Sequence, residues 1–291
     1  MTGLSDALRE ATRRLSEAGV ASPRADAEHL AAHLLGVGRG ELAARALRGD
    51  DVPPGFGHLV AERARRVPLQ HLVGVAGFRG LEVRVGPGVF VPRPETEVVA
   101  GRAIEGAAAA SADGRSVVVV DLCTGSGAIA LAVATEVPAA RVHAVELSEQ
   151  AHAWAAQNLA GSGVDLRLGD AATAFDDLDG IVDVVVSNPP YIPPGAVPVD
   201  PEVRDHDPHV ALFGGGPDGL DVPRAVVATA ARLLRDGGLL VVEHAEVQQP
   251  ALLDLLTGAG WSDRHGHTDL TGSPRCVTAR RSAPVRHDGP A

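Results

Sequence analysis

Lysine is absent from this 291-residue chain, and all 26 basic residues are arginine. With so much alanine, glycine and valine alongside, the absence reads as compositional bias and not as a device. Aromatic residues make up only 3% of a chain that is 45% hydrophobic, so its core must be packed with aliphatic side chains. Positive charge is also short: the net charge is −11. Residues 1–66 hold ten Arg against nine Asp and Glu, so the deficit lies in the remainder. Proteins whose affinity rests on phosphate contacts carry a basic face, so direct nucleic-acid binding is not expected. The two cysteines, Cys123 and Cys276, make no disulfide framework and suit a reducing cytoplasm. No apolar run approaches the ~20 residues of a membrane span, and the amino terminus is charged and amphipathic, unlike a signal peptide. A cytoplasmic protein with no membrane partner is expected.

What the chain does have is alternating helical and strand patterns. Leu4, Leu8, Ala11 and Leu15, then Ala27, Leu30, Ala31, Leu34 and Leu35, recur at helical spacing. Ser22-Pro23 reads as an N-cap followed by proline at the first helical position. Further short helices are expected at Arg39–Leu42 and His58–Arg66, so residues 1–72 form a small helical domain. Its Arg63, Arg65 and Arg66 read as a solvated helix face before a binding patch. Leu81–Val85 alternates like a hairpin strand and is turned by Gly86-Pro87-Gly88. From about residue 98, strands alternate with helices, which predicts a doubly wound α/β sheet with ligands at the carboxyl ends of its strands. The expected domains are 1–72, a hairpin and linker over 73–97, the α/β domain over 98–281, and a disordered tail over 282–291.

Val117–Asp121 is a buried strand, followed by Leu122-Cys123-Thr124-Gly125-Ser126-Gly127 and an apolar helix from Ala128 to about Thr135. Strand, glycine-rich turn and helix make a nucleotide-binding unit. Gly125 and Gly127 permit tight turning and close backbone approach, and the helix start offers N–H groups to an anionic ligand. The next strand, Arg141–Glu146, ends in an acid where such folds grip a ribose diol. Gly125-Ser-Gly127-Ala-Ile-Ala130 also fits an NAD fingerprint, which is weak on its own. Cys123 has a Cβ and therefore prefers negative φ.

The most informative stretch is Val184-Val-Val-Ser-Asn-Pro-Pro-Tyr-Ile-Pro-Pro194. Three β-branched residues read as a strand that stops at Ser187-Asn188-Pro189-Pro190-Tyr191, which holds the chain's one tyrosine. Two prolines fix φ and keep Asn188 out of the helical region. The result is a rigid loop presenting one carboxamide, bare carbonyls and an aromatic face. Such a loop can accept both hydrogens of a planar –NH2 group and stack on its plane.

Asn188-Pro189-Pro190-Tyr191 resembles the signature of S-adenosylmethionine-dependent methyltransferases that modify planar amino groups. Phe90 through Glu97, with Pro92-Arg93-Pro94-Glu95-Thr96, resembles a segment of the release factor glutamine methyltransferases, and Pro68–Gly80 resembles the linker before it. The resemblance covers roughly residues 8–281, strongest at 68–97, 117–130, 184–194 and 201–222. It implies a Rossmann-like class I methyltransferase sheet with a small N-terminal helical domain, monomeric, methylating the Gly-Gly-Gln glutamine of class I peptide chain release factors. It implies Asn188, Pro189, Pro190 and Tyr191 as catalytic residues, with Phe90 and Arg93 joining them in substrate binding. S-adenosylmethionine would contact Asp121, Cys123, Thr124, Gly125, Ser126, Gly127, Glu146, Asp170, Ala171 and Asn188. Cys123 departs from the family, which usually has glycine there. A tolerated small residue is favoured over a reactive thiol. The polar stretch 201–216 is expected as a loop beside the pocket. Its His206 and His209 lack further ligand spacing, so no metal is expected. The competing readings are an amino-adenine DNA or RNA methylase, against which the acidic charge stands, and a non-catalytic cofactor-binding regulator.

Overall fold

The structure is a computed structural model and describes residues 3–258 and 260–282; of the expected tail, positions 283–291 lie outside the described residues. Two compact units divide the chain. One comprises Met1–Val75 with Val85–Pro87 and Val197–Asp207, and the other comprises the remainder.

The first unit is helical: α1 (Leu4–Glu17), α2 (Pro23–Leu35), α3 (Arg39–Arg48), α4 (Phe56–Ala64) and α5 (Leu69–Val73). Pro23 does sit at the start of α2, and Gly36 ends it at φ 63°, a conformation cheap only for a residue without Cβ. Leu4, Ala11 and Leu15 of α1 and Ala27, Leu30 and Ala31 of α2 are buried together with Leu42, Phe56 and Val60.

In the second unit, β1 (Val75–Phe78) and β2 (Leu81–Arg84) form a hairpin. Arg79 and Gly80 both have positive φ at its turn, the geometry that matches strand twist. There follow α6 (Thr96–Ala110), β3 (Val117–Leu122), α7 (Ala128–Glu136), β4 (Ala140–Glu146), α8 (Glu149–Asn158), β5 (Asp165–Leu168) and β6 (Val182–Ser187). Next come two short helices, α9 (Pro201–His206), which belongs to the first unit, and α10 (His209–Leu212), in the stretch expected to be loop. The expectation overlooked a start signal. The Asp200 side chain accepts from the Glu202 N–H at 3.2 Å, and Pro201 takes the first helical position. The chain finishes with α11 (Asp221–Leu233), β7 (Leu234–Glu243), α12 (Gln249–Leu255), β8 (Trp261–Thr268) and β9 (Pro274–Arg281).

Seven strands run in the order β5-β4-β3-β6-β7-β9-β8. The first five of these are parallel, and β9 is antiparallel to both neighbours. Strands buried on both faces read as continuous apolar runs; every residue of β3 and of β6 is buried. Sequence order reverses between β3 and β6, where Leu122 lies opposite Ser187. Ser187 in turn lies opposite Val242 of β7. The ends of β3, β4, β6 and β7 therefore share one edge, at the switch point where such sheets bind ligands.

Candidate active site

The turn after β3 is built around two carboxylates. Asp121 is fully buried; its Oδ2 accepts from the Thr124 hydroxyl at 2.6 Å and from the Ala130 N–H of α7 at 3.2 Å. Its Oδ1 is buried without a hydrogen-bond partner, and burial pushes the carboxyl up to about 7. Glu146, closing β4, accepts from the Gly125 N–H and the Ser148 N–H, each at 2.8 Å. Burial raises its pKa, and these backbone bonds oppose the rise.

Gly125 has φ 60°, and a Cβ there would meet nothing within 4 Å, so its outer face is open. At Gly127, φ 84°, a Cβ would press on Leu159 at 3.1 Å. Against its preference for negative φ, Cys123 adopts positive φ, 62°, which costs a side chain about 1–2 kcal/mol. Burial and the nearby carboxylates Glu146, Asp121 and Asp170 push its thiol up, away from thiolate chemistry. Ser126 is buried, and its carbonyl accepts from Asn158 Nδ2 at 2.8 Å. The same Asn158 side chain pairs with the backbone of Arg84. It thus ties the glycine turn to the β1–β2 hairpin. Asp170, after β5, is exposed and accepts from the Ala172 N–H at 2.8 Å; Ala171 beside it is buried.

The Asn188–Tyr191 loop leaves β6 from Ser187, whose hydroxyl is anchored on the Leu122 carbonyl at 2.6 Å. Pro189 is buried, while Asn188, Pro190 and Tyr191 are partly buried. Asn188 Nδ2 donates to Thr96 Oγ1 at 3.3 Å, which directs its Oδ1 elsewhere. The Tyr191 hydroxyl donates to Glu243 Oε1 at 3.4 Å; burial and that carboxylate raise the phenol's pKa, so it stays a donor. Behind it, Gln248 Nε2 donates to the Tyr191 and Asp218 carbonyls at 2.8 and 2.9 Å. Ile192 bridges to Phe213. Phe90 and Arg93 stack on each other, with the guanidinium 5.0 Å from the ring centre.

Sequence reasoning missed Thr96, Asn158, Glu243 and Gln248 as parts of this site. One signal was available for Glu243. It closes the apolar run Leu239–Val242 just as Asp121 closes Val117–Val120, and acids at the ends of central strands line ligand crevices. No group of three metal-ligating side chains suited to a metal occurs among the described residues. His209 packs edge-on against Phe213 at 5.3 Å.

The arrangement can hold a ligand that carries a cation beside Asp121 and lies along the glycine turn toward Glu146. It can also hold a planar amino group at Asn188.

Residues 6–74 match the family model described as PrmC N-terminal domain, and residues 107–199 match the Methyltransferase small domain. The release factor glutamine methyltransferase of Streptomyces coelicolor is 57% identical over 277 residues, covering 94% of this chain and 97% of that protein. That of Mycolicibacterium smegmatis is 53% identical over 290 residues, covering 97% and 99%. A 4-amino-L-phenylalanine/4-methylamino-L-phenylalanine methyltransferase of Streptomyces pristinaespiralis is 44% identical over 283 residues, covering 96% and 95%. With near-complete coverage at such identity, the chain belongs to the release factor glutamine methyltransferase family and is an S-adenosylmethionine-dependent methyltransferase.

Proposed function

We propose that this protein methylates the side-chain amide nitrogen of the Gly-Gly-Gln glutamine in class I peptide chain release factors, acting as a monomer in the cytoplasm. The observation that carries the reading is Asn188 at the end of β6, its Nδ2 committed to Thr96 and its Oδ1 left as an acceptor.

S-adenosylmethionine, when bound, supplies an electrophilic methyl group on a sulfonium. Asp121 Oδ1, buried and unpartnered, fits its amino-acid cation. Cys123, Thr124, Ser126, the open face of Gly125 and the backbone of Gly127 would lie along it. Glu146 would take the ribose hydroxyls, and Asp170 with Ala171 would take the adenine.

The acceptor is the difficult partner, because an amide nitrogen's lone pair is delocalised into its carbonyl. Asn188 Oδ1 and the Pro189 carbonyl would accept the two amide hydrogens and hold the nitrogen in line. Pro190 stiffens the turn, and Tyr191 packs on the amide plane, with Phe90 and Arg93 contributing to the acceptor side. Holding reactants in line can be worth ~7–11 kcal/mol. The carbonyl dipoles also stabilise the positive charge that develops on nitrogen. The N-terminal helical unit would recognise the protein acceptor.

Single-turnover methylation of a release factor tests this. Asn188→Ala is expected to lower the rate about 10²–10³-fold, the usual cost of one preorganised polar partner, with cofactor affinity falling far less. Asn188→Asp keeps an acceptor oxygen and should retain more activity than the alanine variant. A wild-type rate from Asn188→Ala would overturn the mechanism.

A further inference from the structure

Behind the Asn188–Tyr191 loop lies a set of buried groups with no part in holding cofactor or acceptor directly. Glu243, at the end of β7, is 3% exposed, and its Oε1 accepts from the Tyr191 hydroxyl. Its Oε2 is buried with no hydrogen-bond partner. Thr96, the first residue of α6, is 4% exposed and accepts from Asn188 Nδ2.

We propose that Thr96 and Glu243 are positioning residues that dictate which end of the Asn188 carboxamide faces the methyl acceptor. The proposal rests on the reading of Asn188 as the acceptor-holding residue. Hydrogen-bond polarity sets the orientation. An ionised carboxylate only accepts, while a threonine hydroxyl has one proton to give. Thr96 is one of the groups that favour the charged form of Glu243, and a hydroxyl whose proton turns to that carboxylate presents only lone pairs to Asn188. The carboxamide must then meet it with Nδ2, and Oδ1 is left for the substrate's –NH2. If Glu243 is protonated, it can itself donate to Thr96. The hydroxyl proton is then free to turn toward Asn188, where it is satisfied by Oδ1. The amide flips, Nδ2 faces the substrate's –NH2, and two donors oppose each other. The contacts from Asn188 and from Tyr191, at 3.3 and 3.4 Å, are long, as catalytic hydrogen bonds often are before the acceptor binds.

The electrostatics place this switch within reach of ordinary pH. Burial raises the Glu243 carboxyl to about 7 against the stabilising influence of the Thr96 hydroxyl, the Arg275 guanidinium and the Tyr191 hydroxyl, while Glu95 adds to the rise. The groups facing it from its neighbours are therefore Tyr191 on the acceptor loop, Glu95 and Thr96 at the start of α6, and Arg275 and Cys276 of β9. Cys276 lies directly opposite Glu243 in the sheet. His244 follows it in sequence and is itself buried. Arg275 is held in place by Asp269, with contacts of 3.0 and 3.1 Å. The active form requires ionised Glu243, so the rate of methyl transfer rises with pH through about 7.

The test is the pH profile of single-turnover release-factor methylation for wild type, Thr96→Val, Thr96→Ser, Glu243→Gln and Asn188→Ala, with cofactor affinity measured on each by calorimetry. Thr96→Val should be slower by roughly 10–100-fold, the range for residues that orient a group touching the reacting partner. It should also lose the rise with pH, while cofactor affinity is kept. Thr96→Ser should restore both rate and profile. Glu243→Gln should give a flat profile, and it decides the matter if the valine variant does not fold. A Thr96→Val or Glu243→Gln enzyme with wild-type rate and profile, alongside a crippled Asn188→Ala, would overturn the relay and leave the reading of Asn188 standing. A wild-type rate from Asn188→Ala would overturn the reading beneath it.

Discussion

Asp121 carries a buried, unpartnered carboxylate oxygen, and that makes it sensitive to what binds beside it. Burial pushes this carboxyl up to about 7. A cation placed against Oδ1 favours the charged form and pulls the pKa down. Binding of S-adenosylmethionine near pH 7 should therefore release protons. Calorimetry in buffers of different ionisation enthalpy reads that release directly, and Asp121→Asn should abolish it; proton uptake would contradict the assignment. The same raised pKa has a sign for stability. The native state binds the proton more tightly than the unfolded chain, so this contribution is full below the ordinary carboxylate range and is lost as pH rises through about 7. Glu243 behaves likewise. Cys123 gives a second residue-scale prediction. Its φ of 62° is one that glycine adopts freely, so Cys123→Gly should stabilise the protein by roughly 1 kcal/mol in chemical denaturation. The sequence placed a side chain in a glycine-rich turn and favoured a tolerated small residue; the positive φ came only with the backbone. The Thr96–Glu243 pair was not legible in the sequence either. Its members are far apart in sequence, and nothing local to either names the other.

Among the elements, the strands were the most legible. Val117–Val120 and Val184–Val186 are apolar runs cut off by polar or acidic residues, and a strand buried on both faces can have no other pattern. Helices α9 and α10 were hidden because proline and glycine nearby read as loop, although Asp200-Pro201 marks a start. The clamps on the acceptor loop were illegible for a different reason: they are backbone contacts made by glycines. A Cβ on Gly219, at φ 76°, would come within 2.3 Å of the Tyr191 carbonyl and 2.7 Å of the Pro193 nitrogen. One on Gly214 would come within 2.0 Å of the Gly219 carbonyl and 2.5 Å of the Pro190 carbonyl. Gly114, at φ 80°, has nothing within 4 Å and serves as a control. Gly114→Ala should cost only the ~1–2 kcal/mol of the left-handed backbone. Gly219→Ala should cost more in thermal denaturation and should also depress methyl transfer, because it displaces the loop that carries Tyr191. Equal effects of the two substitutions would show that the loop is not held in this way.

At the scale of the whole molecule, the arginines read in sequence as a solvated face divide between two environments. Arg65 is exposed, but Arg63 is buried and pairs with Asp26 and Glu202, each at 2.7 Å. Arg66 also pairs with Glu202. Residues 197–207 thereby belong to the helical unit although they lie far along the chain. No periodicity within residues 1–72 could have announced that partner. Removing one member of a buried ion pair costs about 3–5 kcal/mol, so Arg63→Met should markedly lower the stability of the helical unit. Against the desolvation that opposes it, Arg66 and Arg63 hold the Glu202 carboxyl far below the ordinary carboxylate range. Its contribution is therefore present above that range and lost only in strong acid, the opposite direction to Asp121 and Glu243.

Charge and family membership bear on the same question, which acceptor takes the methyl group. The net charge of −11 disfavours nucleic acid, while a 44%-identical relative is named for an aromatic amine. The most direct measurement is incubation with isotope-labelled S-adenosylmethionine and four separate acceptors: a class I release factor, DNA, RNA and 4-amino-L-phenylalanine. The account predicts label in the release factor alone, on the amide nitrogen of the Gly-Gly-Gln glutamine when the peptide is sequenced by mass spectrometry. Label in nucleic acid or in the aromatic amine, with the release factor left unmodified, would contradict it.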